Sequence, residues 1–599
     1  MTEPHRDQAT AVDPGVEDPD VEPAGPALEP GAPARPHGRR RAEGHVDEAP
    51  GPLWRSPLLG AWRRPSQQWG VAVAIALLAA VLRLWNLGYP AELVFDETYY
   101  VKDGWTLISL GYEADWIEVP VEGEDEPNGD FLFESGSTDA YDADDPSYIV
   151  HPPMGKIVIG LGMTLLGADD PVGWRISVAL LGIGTVLLTT RAATRLTRST
   201  VLGAVAGLAV AIDGQGIVHS RVALLDGPLT FFLIAAFAAL LVDRDRARER
   251  LARRTAAADA AELWGRWGPR LGWRPWRLLA GVMMAAAVST KWSALYFLAA
   301  WGVASVAWDL AARRRAGLRW WPGLVLDGIP AFFALVGTTA LGYVLSWTGW
   351  TMSAGGWGRQ WAVEHPGEGV SWLPEGLRSL AHYHRTMWDF HVGLTSDHSY
   401  QSHPAGWLLQ LRPTSFYYRS PAPALEACGA EKCSATITAI GNPLLWWLGA
   451  IALVVAVWWV LRRRDGVALA ALTGVAAGWL PWFQYADRPI FTFYTVIFLP
   501  YLAITLAWVA GRWWEEAGLV RLPPEVPGRG RPAWRDGWRG GVRTGRTWVD
   551  EDRRALVRGV IVALAVTVVV VSVFFYPLWT GMTVPFRFWQ LHMWLPSWV

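Results

Sequence analysis

The chain has 599 residues, of which 51% are hydrophobic and 39 are tryptophan, and its formal net charge is -2. A soluble protein of this length would fold as several domains built from amphipathic elements. Here apolar runs of about 20 residues recur, which is the length of an α-helix that crosses a bilayer. The composition therefore excludes a soluble multidomain protein and indicates an all-α polytopic membrane protein, for which no nucleic-acid partner is expected.

The amino-terminal segment differs from the rest of the chain. Residues 1 to about 62 are rich in proline, glycine, alanine and acids and have no apolar periodicity. Such a segment buries too little apolar surface to offset the entropy of ordering. We therefore expect residues 1–68 to be disordered, with no cleavable signal peptide. Arg63 and Arg64 stand directly before the first apolar run and favour a cytoplasmic amino terminus.

About eleven apolar segments are predicted to span the membrane. In chain order they are 69–87, 172–190, 201–218, 222–242, 277–290, 292–310, 324–347, 443–461, 467–483, 489–510 and 558–579. The fifth segment is short, and we expect it to form a tight pair with the sixth that turns at Lys291. The transmembrane domain is thus predicted to cover 69–579, followed by a tail at 580–599.

The distribution of arginine orients these segments. Arginine clusters follow the second, fourth, sixth and eighth segments and fill the loop 511–557, so all five clusters fall on the cytoplasmic side, as the positive-inside rule requires. Residues 91–150 hold one base against seventeen acids. Two large loops, 88–171 and 349–442, and the carboxyl-terminal tail are therefore expected outside the cytoplasm. This topology requires that residues 153–167 lie at the outer surface without crossing.

An acidic pair lies just beyond the first predicted span, in Phe95-Asp96-Glu97-Thr98-Tyr99-Tyr100. Near the outer membrane surface, a carboxylate can act on both a lipid head group and a water-borne partner, which suggests a catalytic base. The alternative is a solvated acidic turn, because exposed aspartate and glutamate are the norm.

Further ionisable residues stand at the predicted outer ends of the spans. They are Arg83, His151, Lys156, Arg221, Asp226, Lys291 and Arg488. Each one alone is explained by a side chain that snorkels to the interface. Their collection on the outer side is unexpected, since the positive-inside rule predicts few bases there. A lipid-linked phosphate would explain the set, because its anionic head needs Arg and Lys donors.

The second outer loop carries two cysteines and many histidines. A disulfide between Cys428 and Cys433 is favoured over two free thiols, because the loop is predicted to face an oxidising compartment. The spacing of His382, His384 and His391 matches no closed zinc pattern. An interfacial aromatic belt with hydrogen-bonding histidines is the favoured interpretation.

Several ordered motifs resemble those of protein O-mannosyltransferases of the GT-C type, and in particular the actinobacterial polyprenyl-phosphate-mannose–protein mannosyltransferases. From about Trp69 to the last span, the motifs are Phe95-Asp96-Glu97, His151-Pro-Pro-Met-Gly-Lys156, Ser220-Arg221-Val-Ala-Leu-Leu-Asp226, Lys291-Trp292, Phe390-His391-Val-Gly-Leu394, His398-Ser-Tyr-Gln-Ser402 and Arg412-Pro-Thr-Ser-Phe-Tyr417. The chain departs from the pattern in an acidic insertion near 113–145 and in its extended loop 511–557. It also lacks room for the β-trefoil domain of eukaryotic relatives.

The resemblance implies transfer of mannose, with inversion, from a polyprenyl phosphate to Ser or Thr hydroxyls of exported proteins. Asp96 is then the base, and Glu97 orients the acceptor or pairs with a cation. The resemblance also implies a set of donor-binding residues and a loop on the acceptor side. For the phosphate the candidates are Arg83, Lys156, Arg221, Lys291 and Arg488; for the sugar, His151 and Tyr494; for the donor phosphate or sugar, Asp226; for the acceptor-side loop, His391 and His398.

Alternative functions remain open from the sequence. The same architecture suits another polyprenyl-phosphate sugar, or a lipid or glycan acceptor. A transporter is disfavoured, because the charges cluster at span ends and no paired repeat is seen. A non-catalytic scaffold would not need the acid–cation set. No cofactor is expected, although two adjacent carboxylates are able to hold a divalent ion.

Overall fold

A computed structural model describes residues 57–120, 128–148, 150–257, 267–521, 543–544 and 547–598. These residues belong to one compact unit, Gly51–Val599. Of the predicted disordered segment 1–68, residues 1–56 lie outside the described residues, as does most of the predicted loop 511–557.

Residues 57–64 are ordered, which corrects the predicted boundary of the disordered segment. Leu59 is buried, and its carbonyl accepts a hydrogen bond of 2.7 Å from Ser199 Oγ. The carbonyl of Trp62 accepts a second bond, of 2.8 Å, from Thr200 Oγ1. These local contacts could not be predicted from the composition of the segment as a whole.

Helices dominate the described residues. Up to residue 346 they are α1 (Pro65–Leu84), α2 (Glu97–Leu110), α3 (Asp130–Glu134), α4 (Met154–Leu166), α5 (Pro171–Thr197), α6 (Thr200–Ile212), α7 (Gly214–Arg221), α8 (Asp226–Ala257), α9 (Pro275–Val288), α10 (Ala294–Arg315) and α11 (Leu324–Ser346). Beyond it they are α12 (Thr348–Met352), α13 (Trp361–Glu364), α14 (Glu375–Gly393), α15 (Ala424–Cys428), α16 (Pro443–Arg463), α17 (Gly466–Tyr485), α18 (Thr492–Glu516), α19 (Glu551–Thr580) and α20 (Phe586–Gln590).

Short antiparallel sheets complete the described fold. β1 (Ala114–Trp116) pairs with β2 (Tyr141–Pro146) inside the acidic insertion. β3 (Thr414–Arg419), β4 (Cys433–Ala439) and β8 (Val584–Pro585) form one sheet, while β5 (Leu519–Arg521), β7 (Thr547–Val549) and β6 (Arg543–Thr544) form another. β3 and β4 are in register with Thr414 opposite Ala439 and Tyr418 opposite Thr436. Through β8 the carboxyl-terminal tail packs onto the second outer loop.

The polytopic helical architecture is confirmed. Among the described residues, nine helices are long and apolar enough to cross a membrane, and a bent pair, α6 and α7, makes a tenth candidate. The remaining predicted span corresponds to α9, which has only 14 residues. Since α9 is about 21 Å long at 1.5 Å per residue, the count of eleven stays a prediction.

The third predicted span, 201–218, is broken rather than continuous. α6 and α7 meet at an angle of 57°. Asp213 stands at the break, and its Oδ1 accepts a hydrogen bond of 3.0 Å from the Gln215 amide at the start of α7. Its Oδ2 accepts from the Asn442 amide at 2.9 Å and from Trp446 Nε1 at 3.0 Å. The carboxylate thus satisfies backbone donors that the break exposes.

Candidate active site

The site is built where helix ends and turns of several elements meet. Asp96 is the residue before α2, and Asp226 is the first residue of α8. Both carboxylates therefore lie at helix amino termini, where the partial positive charge of the helix favours an anion. Lys291 lies in the turn between α9 and α10, and Arg488 in the turn between α17 and α18.

Asp96 is presented by a strained backbone position. Phe95 has a φ of 56°, a left-handed conformation that costs a residue with a side chain about 1–2 kcal/mol. Its ring stacks on Phe416 with centroids 4.5 Å apart and meets Phe493 edge-on at 5.7 Å. These aromatic contacts hold the turn that directs Asp96. Burial raises the pKa of Asp96 from 3.8 to about 6, against the charge of Lys291 and a hydrogen bond from Tyr100, which lower it.

Lys291 and Asp226 form an ion pair beside Asp96. Lys291 Nζ lies 2.7 Å from Asp226 Oδ2 and 5.4 Å from the ring centroid of Tyr494. Both members of the pair influence the pKa of Asp96, Lys291 lowering it and Asp226 raising it. The two carboxylates and the ammonium therefore form one electrostatic unit.

Two histidines and an arginine form a second group in the site. The rings of His151 and His391 are 5.2 Å apart, and His151 lies 6.3 Å from Tyr100. His391 Nε2 donates to the Val150 carbonyl at 2.7 Å, and Arg488 Nη1 donates to the His391 carbonyl at 2.8 Å. Burial lowers the pKa of His391 to about 4 and that of His151 well below 6.5, in each case with help from Lys291. Both imidazoles are therefore neutral near pH 7.

These residues form a group that is surrounded by protein but still partly accessible, and we call it the recess. Asp96, His151, Lys291 and Tyr494 are each partly accessible, although burial dominates the electrostatics of Asp96 and His151. The structure thus brings together Asp96 with a subset of the predicted residues, namely His151, Asp226, Lys291, His391, Arg488 and Tyr494.

Glu97 faces away from this recess. It is fully buried and accepts two hydrogen bonds from Arg175, at 2.9 Å from Nε and 2.7 Å from Nη2. The amides of Val94 and Ala223 donate to the same carboxylate at 3.0 and 2.6 Å. Of the two predicted roles, the structure gives Glu97 a cation partner and leaves no oxygen for an acceptor. Glu97 fastens the start of α2 to α5.

Two of the predicted phosphate-binding arginines are occupied by backbone carbonyls. Arg221 donates to the carbonyls of Arg83, Trp85 and Asn86 at 2.9, 2.6 and 2.9 Å, so it caps the end of α1, where positive charge is favourable. Arg83 is buried and donates to the carbonyls of α6 and to Ser220 Oγ. This corrects the expectation that they bind the donor phosphate.

Lys156 is also withdrawn from the recess. It is buried, with Nζ 2.7 Å from Glu113 Oε1 and 3.8 Å from Asp103 Oδ2. Burial raises the pKa of Asp103 to about 7, and Lys156 opposes that shift. The lysine therefore joins α4 to the acidic insertion and does not contact the predicted phosphate position.

The remaining predicted residues lie at the rim or beyond it. His398 is exposed, and its Nδ1 accepts a hydrogen bond of 3.1 Å from the Tyr400 amide, so the structure does not bring it into the recess. Cys428 and Cys433 are joined by a disulfide, which closes the hairpin between β3 and β4. No group of three or more metal-ligating side chains occurs in the described part of the chain.

Sequence reasoning missed three residues of this region. Arg175 binds Glu97, Tyr100 donates to Asp96, and His219 is buried against Phe416 and Phe493 at ring distances of 5.7 and 5.8 Å. Arg175 carried a usable signal, since an arginine inside an apolar span is a functional candidate by default. Tyr100 and His219 had no signal separate from their motifs.

A helical membrane domain whose acid–cation recess is assembled from span ends defines a membrane-embedded transferase of the GT-C fold class. Residues 164–336 match the family model described as dolichyl-phosphate-mannose-protein mannosyltransferase, and residues 377–508 match the C-terminal four TMM region of protein-O-mannosyltransferase. The chain belongs to the protein O-mannosyltransferase family.

Whole-length comparisons agree with this assignment. The chain is 35% identical over 570 residues to the polyprenol-phosphate-mannose–protein mannosyltransferase of Mycobacterium tuberculosis, covering 92% of this chain and 95% of that protein. It is 31% identical over 560 residues to the Corynebacterium glutamicum protein of the same name, covering 92% and 96%. Its fold is similar to that of the Saccharomyces cerevisiae protein O-mannosyltransferase Pmt1-Pmt2 complex bound to the sugar donor, with a TM-score of 0.60 at 14% identity over 91% of this chain and 94% of that chain.

Proposed function

We propose that this chain transfers mannose from polyprenyl-phosphate-mannose to Ser or Thr hydroxyls of exported proteins, with inversion and with Asp96 as the base. The observation that carries the proposal is the recess in which Asp96 stands beside Lys291, with Arg488 held by the neighbouring His391 carbonyl. A base and two cations in one recess are what transfer from a sugar phosphate to a hydroxyl requires. The relatives named above are mannosyltransferases that act on proteins.

Asp96 activates the acceptor. A serine or threonine hydroxyl is a weak nucleophile and needs a base within hydrogen-bond reach. A carboxyl group whose pKa is raised to about 6 is still ionised at pH 7 and accepts a proton more readily than an ordinary aspartate. As the hydroxyl oxygen attacks the anomeric carbon, its proton passes to Asp96 and the bond to the phosphate oxygen breaks.

Lys291 and Arg488 stabilise the departing phosphate. Lys291 has three N–H donors and spends one on Asp226. Arg488 uses Nη1 on the His391 carbonyl, while its Nε has no partner among the described residues. These cations therefore keep donors for an anion that develops in the transition state, whereas Arg83 and Arg221 are held by backbone carbonyls of α1 and α6 and of the residues that follow α1.

His391 and His151 contact the sugar. Since His391 Nε2 carries the proton that it donates to Val150, Nδ1 of this neutral imidazole is an acceptor for a sugar hydroxyl. The aromatic ring of Tyr494, beside Lys291, supplies a flat apolar wall. His398 and the exposed surface near it remain the acceptor-side loop of the proposal.

The reaction needs no metal ion. A divalent ion held by the adjacent carboxylates would require both Asp96 and Glu97, but Arg175 and two backbone amides occupy Glu97. Lys291 and Arg488 supply the positive charge instead. Transfer is therefore expected to be unchanged by EDTA.

The catalytic domain is assigned to 69–579, with the recess on the extracytoplasmic face of the plasma membrane. Arginine clusters end the spans at the opposite side, as the positive-inside rule requires of a cytoplasmic face. The polyprenyl tail then stays in the bilayer, at about 0.8 kcal/mol per buried CH₂, while the head group enters the recess. Labelling of single cysteines by a membrane-impermeant reagent tests this placement.

The decisive experiment is a transfer assay with purified protein in proteoliposomes, polyprenyl-phosphate-[³H]mannose and a Ser/Thr-rich peptide. Asp96→Asn is expected to lower kcat/KM by about 10²- to 10⁴-fold, the usual contribution of general base catalysis. Asp115→Asn, which removes an exposed carboxylate of the first outer loop, is the matched control and retains full activity.

Near-normal activity of Asp96→Asn would remove Asp96 from the mechanism. Transfer of another sugar in preference to mannose, or of mannose to lipid but not to peptide, would assign the same recess to a different substrate. Both results are read in the same assay by exchanging the labelled donor or the acceptor.

A further inference from the structure

A basic recess lies at the far end of α8 from the active site. It has a volume of about 460 Å³ and is lined by Arg250, Arg253 and Arg254 together with the loop at Gly272 and Trp273. The three arginines are spaced i, i+3 and i+4, which places them on one face of the helix. The recess is therefore formed by a helix face and the loop that returns to α9.

The basic recess is at the opposite membrane interface from Asp226. Both lie on α8, and the 28 residues from Asp226 to Arg254 span about 42 Å of helix at 1.5 Å per residue. That length equals the thickness of a bilayer including its head groups, about 40–45 Å. A ligand of this recess therefore cannot contact the active site.

The arginines of the recess differ in how they are satisfied. Arg250 donates to the carbonyls of Leu271 and Trp273 and so anchors the loop. Arg253 and Arg254 are exposed, and neither makes an ion pair or a hydrogen bond with any residue that the structure describes. Two neighbouring cations without an anion repel each other, and a bound anion would relieve that repulsion.

Nearby arginines on the same side show the contrast. Arg274 pairs with Asp243 and Asp309, each at 2.6 Å, and Arg277 pairs with the same carboxylates at 2.9 and 2.8 Å. These arginines hold α8, α9 and α10 together through shared carboxylates. Arg253 and Arg254, by contrast, have no carboxylate partner among the described residues and line the recess directly.

The surroundings of the recess are those of a lipid head group. Trp273 lines the recess and is 71% exposed, and tryptophan is enriched where head groups meet the hydrocarbon. Gly272 has a φ of 72° and lies on the wall, so that a Cβ there would stand 3.9 Å from Arg254 Nη2. An anion bound by the guanidinium groups of Arg253 and Arg254 would thus have the amphipathic ring of Trp273 beside it. A phospholipid suits this arrangement, because its phosphodiester is anionic and its acyl chains are apolar.

We propose that this recess binds the head group of an anionic phospholipid, with its phosphate on Arg253 and Arg254 and its glycerol against Trp273. Guanidinium groups match phosphate oxygens in geometry, and basic pockets between membrane helices on the cytoplasmic side bind anionic head groups. The site is structural or regulatory in location and takes no part in transfer.

Native mass spectrometry of the full-length protein in detergent tests the proposal. Wild-type protein is titrated with phosphatidylglycerol and with phosphatidylcholine of the same acyl chains, and it should prefer phosphatidylglycerol by at least tenfold. The double variant Arg253→Gln/Arg254→Gln should weaken phosphatidylglycerol binding by about thirtyfold, from the contribution of two basic residues near an anionic surface. Binding of phosphatidylcholine should not change.

Arg462→Gln/Arg464→Gln is the matched control, since it removes two exposed arginines at the carboxyl end of α16 and should change phosphatidylglycerol binding less than twofold. Equal effects of the two double variants would overturn the proposal, because they would reduce it to general surface charge. Displacement of the lipid by glycerol 3-phosphate at equal concentration would also overturn it, since it would assign the recess to a soluble phosphate.

The chain's own acids provide a further test. Asp259 and Glu262 follow α8 in the sequence. Asp259→Asn/Glu262→Gln should leave lipid binding unchanged if the recess is open to lipid. A marked gain in phosphatidylglycerol affinity would mean that these carboxylates compete for the arginines, and the proposal would fail.

Discussion

Asp96→Asn is expected to stabilise the protein at neutral pH while it removes transfer. Burial raises the pKa of Asp96 from 3.8 to about 6 even though Lys291 opposes the shift. Two pKa units correspond to about 3 kcal/mol, at about 1.36 kcal/mol per unit. Above pH 6 the ionised carboxylate therefore disfavours the folded state by up to about 3 kcal/mol. Asparagine is uncharged at every pH and does not carry this cost.

The pH dependence follows from the direction of the shift. Because the pKa of Asp96 is higher in the folded state, the stability that the carboxyl group contributes is fully present below pH 3.8 and is lost as the pH rises through 6. The difference between variant and wild type should thus be near zero at pH 3.5 and constant above pH 6.5. For a chain of this length, about 3 kcal/mol corresponds to a gain of about 2–3 °C in Tm.

Tryptophan fluorescence during thermal unfolding in detergent, at pH 3.5, 5.0 and 7.5, measures this gain. Asp115→Asn is the control, because its exposed carboxylate has no comparable cost and its Tm should match the wild type. An unchanged or lower Tm for Asp96→Asn at pH 7.5 would refute the reasoning. So would a gain of equal size at pH 3.5.

Three further variants test the neighbours of Asp96. Lys291→Gln removes a cation that lowers the pKa of Asp96, so the acid limb of kcat/KM against pH should move up by about one unit; an unmoved limb would contradict the assignment. Glu97→Gln leaves Arg175 buried without its carboxylate partner and should destabilise the protein by about 3–5 kcal/mol. The loss is measured as a fall in Tm. An unchanged Tm would mean that Glu97 only orients the acceptor. Arg221→Ala should lower Tm, because the α1 cap is lost. The KM for the lipid donor, measured on the folded fraction, should change less than twofold. A large rise in that KM would assign Arg221 to the donor site again.

The sequence was sufficient for the architecture because the signals of membrane helices are strong. Apolar length located the long spans, and the motifs identified the family and the acids. The break at Asp213 was not predictable, since 201–218 is apolar on both sides of it and the carboxylate's partners, Asn442 and Trp446, lie more than 200 residues away. The order in 57–64 was missed for the same reason, as it depends on hydroxyls of Ser199 and Thr200.

The sequence predicted which residues lie near the site better than it predicted what each of them does there. Every cation in the motifs stood at the predicted outer end of a span, so spacing gave no ground for separating Arg221 from Lys291. What separates them is the kind of partner that each cation has in the folded chain. Arg221 donates to three backbone carbonyls at the end of α1, whereas Lys291 has a single carboxylate partner among the described residues.

The arrangement of Lys291 between two carboxylates gives the recess a way to couple donor and acceptor. Without a donor, Lys291 is held by Asp226 at 2.7 Å, which compensates its charge in a poorly solvated position. A phosphate entering beside Lys291 shares that cation with Asp226 and weakens its influence on Asp96, whose pKa Lys291 lowers. The base would then become more basic when the donor is bound, which is the state in which a hydroxyl proton has to be accepted. In the proposed mechanism the same cation would serve the leaving group directly and the nucleophile indirectly, which would give the Lys291–Asp226 ion pair a role that a lone lysine could not fill.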